Sequence, residues 1–125
     1  TLKGEMGAGK TTFVRGLAAG LGIDPREISS PTFTLIHVHE EQEDEVHSPR
    51  CLVHVDAYRL EDPSELEDLG WSEILQDQRN VVVVEWPQKI ADFLGDSVIE
   101  IELFHAVSKS DELRAADLLV PDRDW

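Results

Sequence analysis

The first half of the chain changes from helical to strand-like spacing of its hydrophobic residues. Leu2 ends a short apolar strand. From Lys10 to about Gly20, apolar residues recur every three or four positions, which predicts a helix packed on a sheet. Residues 33–39 alternate with period two, and residues 51–56 form an apolar return strand. We therefore predict an antiparallel hairpin whose tip is the acidic stretch between these two strands.

The second half of the chain interleaves short helices with strands. Ser64 and Glu67 have the spacing of a capping box, which predicts a short helix that Gly70 closes. Residues 81–84 are four valines, so we predict a central strand that is covered on both faces. A brief helix is predicted for residues 88–94.

The last part of the chain contains one more strand and a tail. Residues 98–103 alternate like an edge strand, and residues 113–119 have a helical pattern. We predict an α/β domain of three layers with a mixed sheet over residues 1–104, followed by a helical tail over residues 105–125. Because the sequence begins at Thr1 with only the end of the first strand, we expect that strand to be truncated.

The first predicted helix is preceded by a motif with a clear chemical meaning. It has the spacing G-x-x-x-x-G-K-[ST] and consists of Gly4, Glu5, Met6, Gly7, Ala8, Gly9, Lys10 and Thr11. Its glycines let backbone N–H groups point at phosphate oxygens, Lys10 adds a positive charge, and Thr11 offers a hydroxyl to Mg²⁺. The alternative is a glycine-rich turn before an ordinary helix. The motif favours a P-loop NTPase-type domain that binds a nucleotide with Mg²⁺.

Two carboxylates follow apolar strands directly. Asp56 is the last residue of the predicted strand 51–56, and Glu85 directly follows the four valines. The carboxyl end of a neighbouring strand faces the phosphate loop, so either acid is a candidate metal ligand or base for hydrolysis. The alternative for each is a solvated strand end. The sequence leaves open which acid binds metal directly, which acts through water and which is the base.

Two further segments are candidates for contact with the nucleotide. The Ser30-Pro31-Thr32 turn lies between the first helix and the second strand, where a hydroxyl could sense the metal or the γ-phosphate. Trp86 follows Glu85 and is placed to stack on a base or a partner. The alternative for the Ser30-Pro31-Thr32 segment is an ordinary turn. The alternative for Trp86 is a side chain that packs in the core at the edge of the sheet.

The composition limits the partners of this chain. Its 26 acidic and 11 basic side chains give a formal net charge of −15, which repels phosphate backbones. If the protein takes part in RNA chemistry, we expect it to do so through a partner protein. A simple need for solubility explains the excess of acidic side chains equally well. The single Cys51 excludes an intrachain disulfide and fits a reducing compartment. With no apolar run of membrane-spanning length, we predict a cytoplasmic protein without a membrane partner.

Several blocks occur together in an order that resembles one protein family. They are the phosphate loop, Ser-Pro-Thr-Phe, Asp-x-Tyr-Arg-Leu from Asp56, and Glu-Trp-Pro from Glu85. In these blocks the chain resembles the bacterial P-loop ATPases of tRNA threonylcarbamoyladenosine (t6A) biosynthesis, the TsaE family. The resemblance implies an ATPase with ATP and Mg²⁺ as cofactors. It also implies docking on a threonylcarbamoyl transferase pair (TsaD and TsaB type proteins), with tRNA position 37 reached only through that complex.

The resemblance also implies roles for single residues. Lys10 would contact the phosphates, Thr11 the Mg²⁺, and Thr12 would lie near the phosphates. Glu85 is implied as a metal-site residue and Asp56 as necessary for hydrolysis. Thr32 matches a switch-like segment, and Trp86 matches a tryptophan tied to activity.

Two other functions remain compatible with a phosphate loop. A small-molecule kinase would need an arginine-rich lid, whereas the arginines here are scattered. A non-catalytic module, in which the nucleotide only orders a docking surface, would not need the two acids. A GTPase is disfavoured because the chain has no Asn-Lys-x-Asp motif.

Overall fold

The computed structural model describes residues 1–31, 34–42, 50–105 and 114–119. Within these ranges, six strands form one mixed sheet in the order β2-β3-β4-β1-β5-β6. The strands are β1 (Leu2–Gly4), β2 (Ile36–Glu40), β3 (Cys51–Asp56), β4 (Asn80–Glu85), β5 (Glu100–His105) and β6 (Arg114–Leu119). The helices are α1 (Lys10–Gly20), α2 (Glu65–Asp68) and α3 (Trp71–Gln76), with 3₁₀ turns at Pro25–Glu27 and Pro87–Phe93.

The four inner strands run parallel, and each edge strand is antiparallel to its neighbour. Consecutive side chains of an inner strand point to opposite faces of the sheet. Leu52 therefore packs in the cluster that contains Val14 of α1, whereas Val53 packs with Leu66 of α2 and Trp71 of α3. Two cores on opposite faces confirm the predicted three-layer α/β architecture with an antiparallel hairpin.

Three local predictions agree with the structure, with shifts at the boundaries. The first helix occupies Lys10–Gly20 as predicted. The predicted strand over residues 33–39 is observed at Ile36–Glu40, after a turn in which Leu35 has a φ of 65°. The central strand of valines is β4, which lies between β3 and β1.

The prediction of a helical tail is wrong for residues 114–119. This segment is strand β6, which pairs antiparallel with β5 and joins the tail to the sheet. The same pairing means that β5 is not the predicted edge strand. Alanine and leucine favour helix locally, but pairing with an open sheet edge overrides so weak a preference.

The predicted capping box is also absent. The Ser64 side chain makes no capping hydrogen bond, and its backbone is already helical. Instead, the Asp62 carboxylate accepts a hydrogen bond from the Ser64 backbone N–H at 2.9 Å. Asp62 thus satisfies a donor at the start of this turn, as short acidic side chains often do.

Candidate functional site

The phosphate loop joins β1 to α1 through two glycines with left-handed backbones. Gly7 has a φ of 79° and Gly9 a φ of 102°, a region that residues with a Cβ rarely adopt. Between them, the Ala8 N–H donates to the Glu5 carbonyl at 3.0 Å, which closes a tight turn. The chain therefore curls back on itself and enters the first turn of α1, the geometry that binds anions at a helix N-terminus.

Lys10 lies under an aromatic ring at the base of this loop. Its side chain is buried, and its Nζ donates to the Gly4 carbonyl at 2.7 Å. The same Nζ is 4.2 Å from the ring centroid of Trp86, within the range of a cation–π contact. Both of these partners are uncharged, so they hold the ammonium in place without neutralising it.

Trp86 reaches Lys10 from an unusual backbone conformation. It follows β4 with a φ of 57°, a strained value for a bulky residue, and Pro87 comes directly after it. Its ring also packs against Tyr58, with ring centroids 4.9 Å apart. The strained turn therefore places one aromatic ring between the loop lysine and the residues that follow β3.

The two predicted acids lie side by side at the carboxyl edge of the sheet. Asp56 and Glu85 are register partners on the parallel strands β3 and β4, and both are buried. Asp56 accepts a hydrogen bond from the Tyr58 N–H at 2.9 Å. Because register partners share a face, both carboxylates lie on the side of the sheet that α1 covers, as does Val83 two residues before Glu85.

A cavity of about 110 Å³ brings the loop and the acids together. Its lining consists of Met6, Gly7, Lys10, Ser30, Asp56, Tyr58, Glu85 and Trp86. One positive charge thus meets two buried carboxylates in one space. Thr11 and Thr12 lie next to Lys10 in the first turn of α1, whereas Thr32 lies outside the described residues.

The sequence analysis did not select two residues that the structure places at this site. Tyr58 lines the cavity, and His54 lies behind Glu85, with its Nε2 2.5 Å from the Glu85 Oε2. The available signal was spacing, because His54 is two residues before Asp56 on a strand. Two residues on such a strand share a face, so His54 had to point to the same side as the acid.

The donor set fits Mg²⁺ bound together with a nucleotide. Mg²⁺ usually takes one or two carboxylates and completes its shell with phosphate oxygens and water. Glu85, Asp56 and the Thr11 hydroxyl are oxygen donors of this kind. Over the described part of the chain, no three or more His, Cys, Asp or Glu side chains group closely enough to hold a metal alone. A site that relies on phosphate oxygens therefore suits these residues better than an all-protein cage.

Comparison with known proteins shows where this arrangement belongs. The sequence model of the family described as threonylcarbamoyl adenosine biosynthesis protein TsaE matches residues 1–113. The chain belongs to the TsaE family. Two members of the family are tRNA threonylcarbamoyladenosine biosynthesis proteins TsaE. The Bacillus subtilis protein is 45% identical over 106 residues, and the Streptomyces coelicolor protein is 43% identical over 115 residues.

The chain is shorter than these relatives. The alignments cover 85% of this chain and 61% of the B. subtilis protein, and 90% of this chain and 73% of the S. coelicolor protein. A solved structure, described as the crystal structure of Bacillus subtilus YdiB, superposes with a TM-score of 0.64 at 32% identity. That superposition covers 96% of this chain and 66% of the other. Among the described residues, no helix has the length and apolarity needed to cross a bilayer.

Proposed function

We propose that this chain is the ATPase component of the machinery that makes t6A at position 37 of tRNA. It would bind Mg²⁺-ATP and hydrolyse it in support of a threonylcarbamoyl transferase pair. The observation that carries this proposal is the cavity in which Lys10 meets Asp56 and Glu85. Membership of the family and the printed names of its members supply the link to t6A.

The phosphates of ATP would bind at the loop. Backbone N–H groups of the curled loop and the N-terminal end of α1 favour negative charge there. The Lys10 ammonium adds a point charge that its present partners leave unneutralised. These groups would bind and orient the phosphates of the nucleotide.

The acids would act on the other side of the phosphates. Glu85 and Thr11 would hold Mg²⁺, which when bound neutralises charge on the phosphate oxygens. Asp56 would orient the attacking water and accept its proton. Its place in the lining of the same cavity supports this role. Trp86 and Tyr58 line the same cavity and place aromatic surface beside the acids.

Turnover by the chain alone should be slow. Transfer of the γ-phosphoryl group to water is usually accelerated by an arginine that stabilises the transition-state charge. Lys10 is the one cation among the eight residues that line the cavity. A partner protein is therefore the expected source of any strong acceleration.

The proposal extends to the partners and the compartment of the chain. With a net charge of −15, the chain would meet tRNA through the transferase pair rather than by direct contact. Cys51 is free and buried, which fits the cytoplasmic setting predicted from the sequence.

The deciding experiment measures ATP hydrolysis with and without a purified transferase pair. Lys10→Ala should lose both nucleotide affinity and turnover, whereas Glu85→Gln should bind ATP but not hydrolyse it. Strong stimulation of the unaltered chain by the pair is the expected result.

Three outcomes would count against this proposal. Unchanged hydrolysis in Lys10→Ala would remove the phosphate loop from the mechanism. Intact tRNA modification with Glu85→Gln would favour the non-catalytic module. Phosphorylation of a small acceptor would favour a kinase.

A further inference from the structure

His54 forms a buried contact with Glu85 that the reaction described above does not use. It lies on β3 with no exposed surface, and its Nε2 is 2.5 Å from the Glu85 Oε2. In the register of the two strands His54 faces Val83, so the histidine reaches along the sheet to the last residue of β4. Glu85 therefore meets two residues of β3, with Asp56 as its register partner and His54 in contact with its Oε2.

The second ring nitrogen of His54 makes no competing contact. Its Nδ1 is buried and has no hydrogen-bond partner among the described residues. The contact between Nε2 and Glu85 is therefore the one hydrogen bond that the described residues offer to this ring.

We propose that His54 is a positioning residue for Glu85, and this inference rests on the proposed ATPase function. The imidazole Nε2 engages Oε2 and leaves Oε1 available to a cation in the cavity that Glu85 lines. A partner of this kind fixes the orientation of a carboxylate that holds a metal.

The test compares two changes at His54 with a matched control. His54→Phe keeps a ring but removes the donor, and His54→Gln keeps a side-chain N–H donor. His37→Phe is the control, because His37 faces His54 across the hairpin rather than Glu85. Partners that fix a metal ligand typically contribute about 10–100-fold in metal affinity or activity.

Binding is measured separately from turnover. Mn²⁺ affinity of the ATP complex, followed by electron paramagnetic resonance, should fall about 10–100-fold in His54→Phe, and kcat should fall by a similar factor. ATP affinity in EDTA should stay unchanged, because the phosphate loop is intact. His54→Gln should recover most of both losses, and His37→Phe should match the unaltered chain.

Undiminished Mn²⁺ affinity and kcat in His54→Phe would overturn the proposal. Equal loss of ATP affinity in EDTA would show that His54 only maintains the fold.

The proposed function and the positioning role can fail separately. If the unaltered chain neither binds Mg²⁺-ATP nor hydrolyses it with the transferase pair, the ATPase proposal fails, and the role of His54 fails with it. If the unaltered chain is active and His54→Phe is equally active, only the positioning role is wrong.

Discussion

The close approach of β1 to β5 at Gly4 leads to a quantitative prediction. A Cβ built on Gly4 would lie 2.7 Å from the Leu103 carbonyl oxygen and 3.1 Å from the Ala8 Cβ. The nearer obstacle is backbone, so no side-chain rotation relieves it, and one of the two strands must move. Overpacking of this kind typically costs about 1–3 kcal/mol. We expect Gly4→Ala to lower the free energy of unfolding by this amount.

Gly16 provides a matched control on the same chain. It lies inside α1, and a Cβ built there meets nothing within 4 Å. Replacement of glycine by alanine in a helix interior stabilises by about 0.5–1 kcal/mol. The same chemical change should therefore act with opposite signs at Gly4 and Gly16. Equilibrium urea denaturation followed by far-ultraviolet circular dichroism measures both free energies, and equal m-values would validate the comparison.

Gly4→Ala should also weaken nucleotide binding. The Gly4 carbonyl accepts the hydrogen bond from the Lys10 Nζ, so a shifted strand displaces the partner of the loop lysine. We expect weaker ATP affinity for Gly4→Ala and unchanged affinity for Gly16→Ala. The reasoning is refuted if Gly4→Ala is as stable as the unaltered chain, or if Gly16→Ala is destabilised to the same extent.

Three further predictions concern residues away from the cavity. Burial raises the pKa of the Cys51 thiol, so iodoacetamide at pH 8 should alkylate it far more slowly in the folded chain than in urea, as mass spectrometry would show; equal rates would contradict the burial. Trp71→Phe leaves the Phe93 carbonyl without the Nε1 donor that now lies at 2.9 Å, and should cost about 1–3 kcal/mol in urea denaturation. Hydrogen bonds from Arg79 lower the pKa of Asp77 from 3.8 to about 2, so this contact stabilises the fold above pH 3.8 and is lost as the pH falls to about 2. Arg79→Ala should raise the pKa of Asp77 in a carboxyl NMR titration, and an unchanged value would contradict the contact.

Local patterns predicted the elements wherever one physical requirement dominated. The glycine spacing of the loop and the apolar stripe of α1 are both local, and α1 was predicted at Lys10–Gly20 as observed. The four valines predicted β4 because a strand that is buried on both faces needs apolar residues throughout. The resemblance through the motif blocks predicted the family that the comparisons confirm.

Local patterns were wrong where another part of the chain competed for the same backbone groups. Residues 114–119 carry a helical pattern, yet they form a strand because β5 offers an unpaired edge. Ser64 has the spacing of a capping box, but its backbone N–H donates to the Asp62 carboxylate, two residues earlier. In each case the pattern does not encode the competitor that decided the outcome.

The sequence by itself determined which chemical groups this protein carries and which strand each acid ends. The phosphate loop, Asp56 and Glu85 can be recognised from spacing because each depends on a few neighbouring residues. Only the tertiary structure decided how these groups meet. The parallel register places Asp56 beside Glu85, and the pairing of β3 with β4 brings His54 into contact with Glu85, 31 positions later in the chain. Contacts of this kind depend on strand order and register, which are set by packing of the whole domain rather than by any local pattern.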